Sequence, residues 1–380
     1  MRNFSLRILT LSLLLCSLPA SAALQIGAVY CNSGELAALD EPSWNGAQLA
    51  VAEVNKNGGI RGEKVELIRI TGNSSVSDVK GKVAAFLKDN QVVGMVGLSD
   101  SDMVQAAARQ AVKQGIPFVT SGATSPKLPG AVGAGFYMAC FGDNVQAAAA
   151  AEWLSQTKSA KSAAIIYDPA FTYTRLLKTY FSKAFRHAGG KIASSTPYKP
   201  GQPLILSPSI LKADAVFLAT ETAADAMPVI RQLRSMGYPR PIVGGDGYDN
   251  PPAWTGNPSA NNVYFTTHAF VSVVPGSANR STAAGFARAY KKAFHAAPDS
   301  FSALGYDATK TLLAAIEKST DSTPKATRAA LDYGIRLAGL TGPIDLSKTD
   351  RIPKKPVALV NASEPGNRKL QLTPAFIPAP

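Results

Sequence analysis

Short apolar runs alternate with helical patterns along most of this 380-residue chain. Residues 24–30 form one such run, and residues 43–57 follow it with alanine and valine at helical spacing, ahead of Gly58 and Gly59. Strands that are buried on both faces have continuous apolar runs, and parallel strands need long crossover connections, which are usually helices. The alternation therefore predicts an α/β fold in which helices cover both faces of a parallel sheet.

The pattern restarts after about residue 143, and the length favours two domains of ~150 residues each. The predicted strands are residues 24–30, 64–70, 92–98, 116–120, 162–167, 215–219, 241–244, 263–267 and 357–361. The predicted helices are residues 43–57, 76–90, 101–114, 146–157, 173–188, 223–236, 282–294, 303–318 and 324–333. Two doubly wound α/β halves predict a ligand-binding cleft between them, and the proline-rich tail at 373–380 is expected to be irregular.

The first 23 residues have the pattern of an export signal. Two arginines accompany an apolar run at residues 6–18, and Ala-Ser-Ala at residues 20–22 fits signal peptidase. The run is shorter than the ~20 apolar residues of a membrane span, so an anchor is the less favoured alternative. A lipoprotein is disfavoured because Cys16 follows leucine rather than a small residue. We therefore expect cleavage near Ala22/Ala23 and export to the periplasm.

The net charge of +13 comes from lysines and arginines that are scattered along the chain. Nucleic-acid-binding proteins concentrate basic residues and often add stacking aromatic residues, so no nucleic-acid partner is predicted. The basic surface can still steer the protein towards an acidic partner or an anionic membrane surface.

Two cysteines, Cys31 and Cys140, remain after cleavage of the signal. An even number in an oxidising compartment permits one disulfide, and two free buried thiols are the alternative. The three histidines are far apart in the sequence, and no Cys/His spacing is typical of zinc. We therefore predict neither a metal nor a cofactor.

Small polar residues follow several of the predicted strands, where ligands of parallel α/β sheets bind. Ser101 opens a helix, and helix starts offer free N–H groups to anions. Gly122 and Thr124 follow the next strand and add donors for a carboxylate. Capping and turn formation are the alternative roles of all three residues.

Candidate groups for a ligand amine follow a strand in the second half of the chain. Asp246 lies between glycines, and such a carboxylate can accept a charge-assisted hydrogen bond from an ammonium group. Tyr173 and Tyr248 combine an apolar ring with a polar tip, which suits a lid over a small ligand. A turn aspartate and simple ring packing are the alternatives.

Motifs of catalysis are missing from these segments. Residues 97–101 read Gly-Leu-Ser-Asp-Ser and lack the final glycine of a nucleophile elbow. No phosphate-binding loop, H-E-x-x-H motif or dinucleotide fingerprint follows a predicted strand. The sequence therefore favours a binding protein over an enzyme.

Several segments, in the same order along nearly all of the mature chain, match the pattern of one protein family. Residues 55–62 (Asn-Lys-Asn-Gly-Gly-Ile-Arg-Gly) are the most specific match. The other matching segments are residues 26–27, 33–34, 45–50, 96–99, 115–118, 230–234, 244–247 and 339–343. With these segments the chain resembles the periplasmic substrate-binding proteins of branched-chain amino-acid ABC transporters, which have the type I periplasmic binding fold.

The resemblance implies two lobes that are joined by three crossovers and close on a small ligand. The crossovers are expected near residues 140–143, 267–270 and 343–352. Lobe 1 would comprise residues 24–141 and 269–346. Lobe 2 would comprise residues 142–268 and 347–380. The implied partners are a small amino acid or related carboxylate and an ABC permease in the inner membrane, and we expect a monomer.

The resemblance also implies roles for individual residues. Ser101 and Thr124 match carboxylate-binding positions, with Gly122 contributing backbone. Tyr173 and Asp246 match positions that close over the ligand, with Asp246 taking the amino group.

Departures from the family pattern leave the ligand open. Aspartate at position 246 replaces the glutamate of leucine binders, and Leu39 stands near the usual place of an aromatic residue. An amide, urea or an aromatic acid is the alternative ligand, and a sensor for a membrane receptor is the alternative role.

Overall fold

The computed structural model describes residues 23–205, 207–268, 280–347, 350–364 and 370–380. Residues 1–22 of the predicted signal at 1–23, residues 269–270 of the predicted crossover at 267–270 and residues 348–349 of the one at 343–352 therefore lie outside the described residues. The described strands, in chain order, are β1 (Leu24–Cys31), β2 (Val65–Gly72), β3 (Gly94–Gly97), β4 (Phe118–Thr120), β5 (Phe136–Met138), β6 (Ser162–Tyr167), β7 (Lys191–Pro197), β8 (Ala215–Ala219), β9 (Ile242–Gly244), β10 (Val263–His268), β11 (Arg336–Gly339), β12 (Gly342–Asp345), β13 (Val357–Asn361) and β14 (Leu370–Leu372).

The strands form two main sheets. The first sheet has the order β2-β1-β3-β4-β5, and all of its pairs are parallel. The second has the order β14-β13-β10-β9-β8-β6-β7, in which β13 and β14 pair antiparallel at one edge. Strands β11 and β12 form a separate hairpin. The predicted α/β fold with parallel sheets is confirmed, and the antiparallel edge is an addition to it.

Helices cover both faces of each main sheet. They are α1 (Ala37–Lys56), α2 (Val76–Asp89), α3 (Ser101–Lys113), α4 (Leu128–Val132), α5 (Asp143–Gln156), α6 (Thr172–His187), α7 (Pro208–Lys212), α8 (Ala223–Ser235), α9 (Pro251–Trp254), α10 (Arg280–Phe294), α11 (Ser300–Lys318) and α12 (Pro324–Tyr333). None of the helices in the described ranges is long and apolar enough to cross a membrane.

Separate apolar cores lie on the two faces of each sheet. In the first sheet, Ala47 of α1 and Leu312 of α11 belong to one core, whereas Val83 of α2 and Val104 of α3 belong to the other. In the second sheet, the helices α5 and α6 cover one face and α8 covers the other. Because both faces are covered, the central strands have the continuous apolar runs that identify them in the sequence.

Two glycines let α11 pack closely against α1, which joins a late segment of the chain to the first sheet. A Cβ at Gly46 would lie 1.9 Å from the Ser302 carbonyl oxygen, and one at Gly305 would lie 1.9 Å from the Ser43 oxygen. Ser43 also donates a hydrogen bond of 2.9 Å to the Phe301 carbonyl. The first sheet is therefore completed by helices that come more than 150 residues later in the sequence.

Some elements differ from the predictions. Helix α1 begins at Ala37 rather than at residue 43 and runs through Pro42. Its first turn is anchored by Asp40, which accepts a 2.8 Å hydrogen bond from the Cys31 amide. Strand β7 was not predicted because its sequence, Lys-Ile-Ala-Ser-Ser-Thr-Pro, is polar and half-exposed at the sheet edge. The tail at residues 373–380 is irregular, as predicted.

Candidate functional site

Loops at the carboxyl ends of strands from both sheets face one cavity. Helices α1, α6 and α11 supply the remaining walls. The lining residues are Leu39, Ser99, Gly122, Thr124, Tyr173, Glu221, Asp246, Gly247 and Phe301. The structure thus brings together Gly122, Thr124, Tyr173 and Asp246 of the predicted site residues.

The wall from the first sheet carries hydroxyl groups and backbone. Ser99 and Thr124 both line the cavity. Gly122 lies between the Phe301 ring and the Ser99 hydroxyl, and an added Cβ would be 3.0 Å and 3.2 Å from them. The Gly122 amide donates a long hydrogen bond of 3.3 Å to the Leu98 carbonyl. This wall offers neutral donors, which suit a carboxylate.

Ser101 does not line the cavity, although it is buried nearby. Asp100 is the N-cap of α3 and accepts a 2.7 Å hydrogen bond from the Met103 amide, which places Ser101 inside the first helical turn. The Ser101 hydroxyl instead accepts a 3.3 Å hydrogen bond from the Ser125 amide and so ties two loops together. Ser99, two residues earlier, faces the cavity in its place.

The wall from the second sheet contains Asp246, which is 2 % exposed and has several hydrogen-bond partners. Its Oδ1 accepts hydrogen bonds from Gln146 Nε2 at 2.7 Å and from the Tyr173 hydroxyl at 2.8 Å. Its Oδ2 lies 3.1 Å from His268 Nε2. Burial lowers the pKa of His268 despite this contact with Asp246, so the ring is neutral and donates from Nε2.

The glycines around Asp246 allow the close approach of its neighbours. A Cβ at Gly245 would be 2.3 Å from the Tyr173 hydroxyl, and one at Gly247 would be 2.1 Å from the Glu221 carbonyl oxygen. The Gly247 amide donates to the Tyr173 hydroxyl at 3.2 Å, so this hydroxyl both accepts and donates. The segment from 244 to 247 therefore holds Tyr173 against the carboxylate at the cavity wall.

A second buried carboxyl group lies behind this wall. Gln146 donates to Asp143 Oδ1 at 3.1 Å as well as to Asp246, and its Oε1 accepts from the Asp246 amide at 3.1 Å. Burial raises the pKa of Asp143 well above its usual range, and the neighbouring Asp246 raises it further. The amide of Gln146 was not predicted as part of the site, because a polar residue in an alanine-rich helix carries no distinctive pattern.

Tyr248 is not at the cavity, contrary to its predicted place beside Tyr173. Its ring is fully buried in the core of the second sheet, 6.0 Å from the Trp254 ring. Its hydroxyl lies 2.9 Å from both Thr220 Oγ1 and the Leu218 carbonyl oxygen. Gly244 makes room for the ring, since an added Cβ would meet it at 2.0 Å. Tyr248 is thus a packing residue.

Glu221 is a cavity residue that sequence reasoning missed. It is 4 % exposed, and its Oε2 has no hydrogen-bond partner among the described residues. Burial raises the pKa of Glu221 well above its usual range, and nearby Asp100 and Asp102 add to the effect. The neighbouring Thr222 is the N-cap of α8, so the segment has the pattern of an ordinary helix start. Its position after the carboxyl end of β8 is the signal that could have identified it.

The disulfide that the two cysteines permit is not formed. Cys31 and Cys140 are both free and buried. The Cys31 sulfur lies 3.8 Å from the Met103 sulfur, whereas the Cys140 thiol donates to the Ala123 carbonyl at 3.2 Å. Each thiol thus packs in its own surroundings. Within the described ranges, no cluster of histidine, cysteine and carboxylate side chains is arranged to hold a metal ion.

Comparisons with known proteins agree with this architecture. A family model described as periplasmic binding protein matches residues 23–367. The Leu/Ile/Val-binding protein homolog 7 of Brucella abortus is 28% identical over 341 residues, which cover 82% of each chain. The Leu/Ile/Val-binding protein BraC3 of Rhizobium johnstonii is 29% identical over 352 residues, which cover 90% of this chain and 92% of the relative.

Solved structures give the same result for the fold. The branched-chain amino acid transporter substrate-binding protein LivJ of Streptococcus pneumoniae, in complex with isoleucine, is 25% identical and has a TM-score of 0.80, covering 94% of this chain and all (100%) of that one. A solute-binding protein from R. palustris, in complex with benzoate, has a TM-score of 0.77 at 18% identity, with 94% and 97% of the two chains covered. The chain therefore belongs to the periplasmic binding proteins, an extracytoplasmic family. Proteins of this family capture a small ligand for an ABC transporter and are not enzymes.

Proposed function

We propose that this protein captures a small amino acid or a closely related carboxylate in the cavity between the two sheets and delivers it to an ABC permease. The observation that carries the proposal is the chemistry of the opposite walls. Hydroxyls and backbone at Ser99, Gly122 and Thr124 face Asp246 and Tyr173 across the cavity. A zwitterion carries the complementary groups, a carboxylate for the first wall and an ammonium for the second. The isoleucine bound by the LivJ relative belongs to this class.

The two sheets support the proposed division into lobes. Lobe 1 comprises residues 24–141 and 269–346, and lobe 2 comprises residues 142–268 and 347–380. The packing of α11 on α1 supports the return of the chain to lobe 1, and the pairing of β13 with β10 supports the last return to lobe 2. Ligand binding between such lobes is accompanied by hinge closure.

Each ligand residue has a proposed role in this closed cavity. Gly122 and Thr124 bind the carboxylate with Ser99, and Ser101 holds their loops in place through Ser125. Asp246 accepts a hydrogen bond from the ammonium group, and the Tyr173 ring covers it.

We further propose that the chain matures by cleavage near Ala22/Ala23 and acts as a monomer. Mass spectrometry of the exported protein tests the cleavage site. Light scattering of the purified protein with and without ligand tests the oligomeric state.

Thermal unfolding against a panel of solutes tests the ligand class. Ligands that bind only the folded state raise the melting temperature by mass action. We expect a rise with one or more α-amino acids and none with urea, acetamide or benzoate at the same concentration. A rise with benzoate or urea alone would contradict the proposed ligand class, and it would leave solute capture itself intact.

A further inference from the structure

The cavity contains a second carboxyl group, Glu221, to which the proposed amino-acid binding at Asp246 assigns no role. Glu221 lines the cavity, is 4 % exposed and has no partner for Oε2 among the described residues. A buried carboxylate oxygen without a hydrogen-bond donor is costly, so such groups normally have a partner in the functional state. Because Glu221 lines a candidate binding cavity, a bound ligand is the partner that we consider for this oxygen.

Asp246 and Glu221 differ in what already surrounds them. Asp246 accepts hydrogen bonds from Gln146, Tyr173 and His268, all of which are neutral donors. These three donors satisfy the hydrogen bonding of the Asp246 carboxylate, but because they are neutral they do not balance its negative charge. Glu221 Oε2 has no such donor among the described residues, and burial favours its neutral form until a cation binds beside it. The two carboxylates follow adjacent strands, β8 and β9, and so lie on the same wall.

Among the described residues, the cavity lining contains acidic but no basic side chains. Glu221 and Asp246 are the carboxyl-bearing side chains of this lining, and Asp100, Asp102 and Glu35 lie close enough to disfavour ionisation of Glu221. This concentration of acids occurs in a chain with a net charge of +13. The single ammonium group of a plain zwitterion pairs with Asp246 and leaves no cation that would favour the ionised form of Glu221.

We propose that Glu221 is a second anionic contact and that the cavity selects an α-amino acid whose side chain ends in an ammonium or guanidinium group. The inference rests on the proposed amino-acid function and names the ligand within it. The α-ammonium group binds at Asp246, and the side-chain cation binds at Glu221. Leu39 and Phe301 contact the aliphatic part of the ligand side chain between these charges.

Calorimetric titration with matched ligands tests the inference on the unaltered mature protein. L-Lysine and L-norleucine have the same side-chain carbon atoms and differ in the terminal ammonium group. We expect L-lysine to bind at least about tenfold more tightly, because a hydrogen bond to a charged buried group contributes that much or more. L-Arginine is expected to behave like L-lysine.

The Glu221→Gln variant keeps the shape of the side chain but cannot ionise when a cation binds. We expect the preference for L-lysine over L-norleucine to shrink to within about threefold, with an unchanged melting temperature of the free protein. Glu317→Gln is the matched control: it removes an exposed charge on α11 that does not line the cavity, and the preference should remain.

The outcomes separate this inference from the proposed function. Equal or tighter binding of L-norleucine by the unaltered protein overturns the role of Glu221 and leaves amino-acid capture standing. A preference for L-lysine that survives Glu221→Gln also overturns it. Binding of no amino acid at all overturns the proposed function, and the inference falls with it.

Discussion

Asp246 combines a buried charge with hydrogen bonds from neutral groups, which prepares it for a positive partner. Replacing it with asparagine keeps the size and removes the charge. We expect Asp246→Asn to weaken the binding of amine-bearing ligands by about tenfold or more, since a buried charged hydrogen bond contributes ~1.5–3 kcal/mol. Calorimetry measures the affinity, and Asp89→Asn on the exposed end of α2 is the control. Unchanged affinity would contradict the ammonium-binding role.

The Tyr173 hydroxyl connects Asp246 to the Gly247 amide. Tyr173→Phe removes both hydrogen bonds and leaves the ring in place. We expect the free energy of unfolding to fall by about 1–3 kcal/mol, because buried groups lose their partner. Urea denaturation measures the change. Tyr333→Phe is the control because that ring is 92 % exposed, and an equal loss in both variants would contradict the argument.

Because Asp100 is a buried carboxyl group, we expect it to make the stability of the folded protein depend on pH. Burial raises the pKa of Asp100 to about 7, well above its ordinary value. Between pH 4 and pH 7 the folded state therefore binds more protons at this group than the unfolded state, so its contribution to stability falls as pH rises.

Asp100→Asn removes this titration while keeping an N-cap side chain that can accept from the Met103 amide. We expect the melting temperature of the variant to fall less than that of the unaltered protein between pH 4 and pH 7. Calorimetric scans at several pH values measure the difference, with Asp89→Asn as the control. Parallel curves for the variant and the unaltered protein would contradict the prediction.

At the scale of elements, the close pairing of α1 with α11 depends on glycine. Gly305 has no space for a methyl group, since an added Cβ would be 1.9 Å from the Ser43 carbonyl oxygen. We expect Gly305→Ala to lower the free energy of unfolding by ~1–3 kcal/mol or more, because overpacking forces the helix backbones apart.

A second helical glycine provides the control for Gly305. Gly81 in α2 is exposed, and an added Cβ there would meet nothing within 4 Å. Gly81→Ala is expected to stabilise the protein by ~0.5–1 kcal/mol through helix propensity. Denaturant unfolding compares the two variants, and equal effects of the same sign would contradict the packing argument.

Whether a helix or strand could be predicted from the sequence depends on how deeply its residues are buried. Strands such as Ala215–Ala219 are buried on both faces, so their apolar runs identified them. Strand β7 is half-exposed and polar, and the antiparallel edge strands pair only through tertiary structure, so local patterns did not indicate β7 or the antiparallel pairing.

The same reasoning explains the outcome at the candidate site. The position of a residue after a strand was visible in the sequence, which is how Gly122, Thr124 and Asp246 were found. The direction in which each side chain points could not be predicted from the sequence. Asp100 takes the N-cap and turns Ser101 away, and Gly244 admits the Tyr248 ring to the core. Glu221 was not predicted, because it precedes Thr222 and the segment has the pattern of an ordinary helix N-cap.

For the whole molecule, a polar contact between α3 and α6 is among those that join the two proposed lobes away from the cavity lining. Asp102 on α3 accepts a 2.9 Å hydrogen bond from the amide of Thr172, the first residue of α6. The amide at a helix start has no partner within its own helix, and a carboxylate is a favourable partner for it. If the lobes move apart by a hinge motion, this hydrogen bond is lost, so it stabilises the closed state selectively.

Asp102 does not line the cavity, and Asp102→Ala should therefore shift the protein towards the open state. The apparent affinity for a ligand that needs the closed state falls in proportion to the population of that state. We expect about three- to tenfold weaker binding, since a hydrogen bond to a charged group contributes ~1.5 kcal/mol in a partly exposed setting. The radius of gyration of the free protein should also rise, as X-ray scattering would measure, and saturating ligand should restore the compact value. Weaker binding with an unchanged radius of gyration in both states would show that Asp102 acts on the ligand rather than on closure.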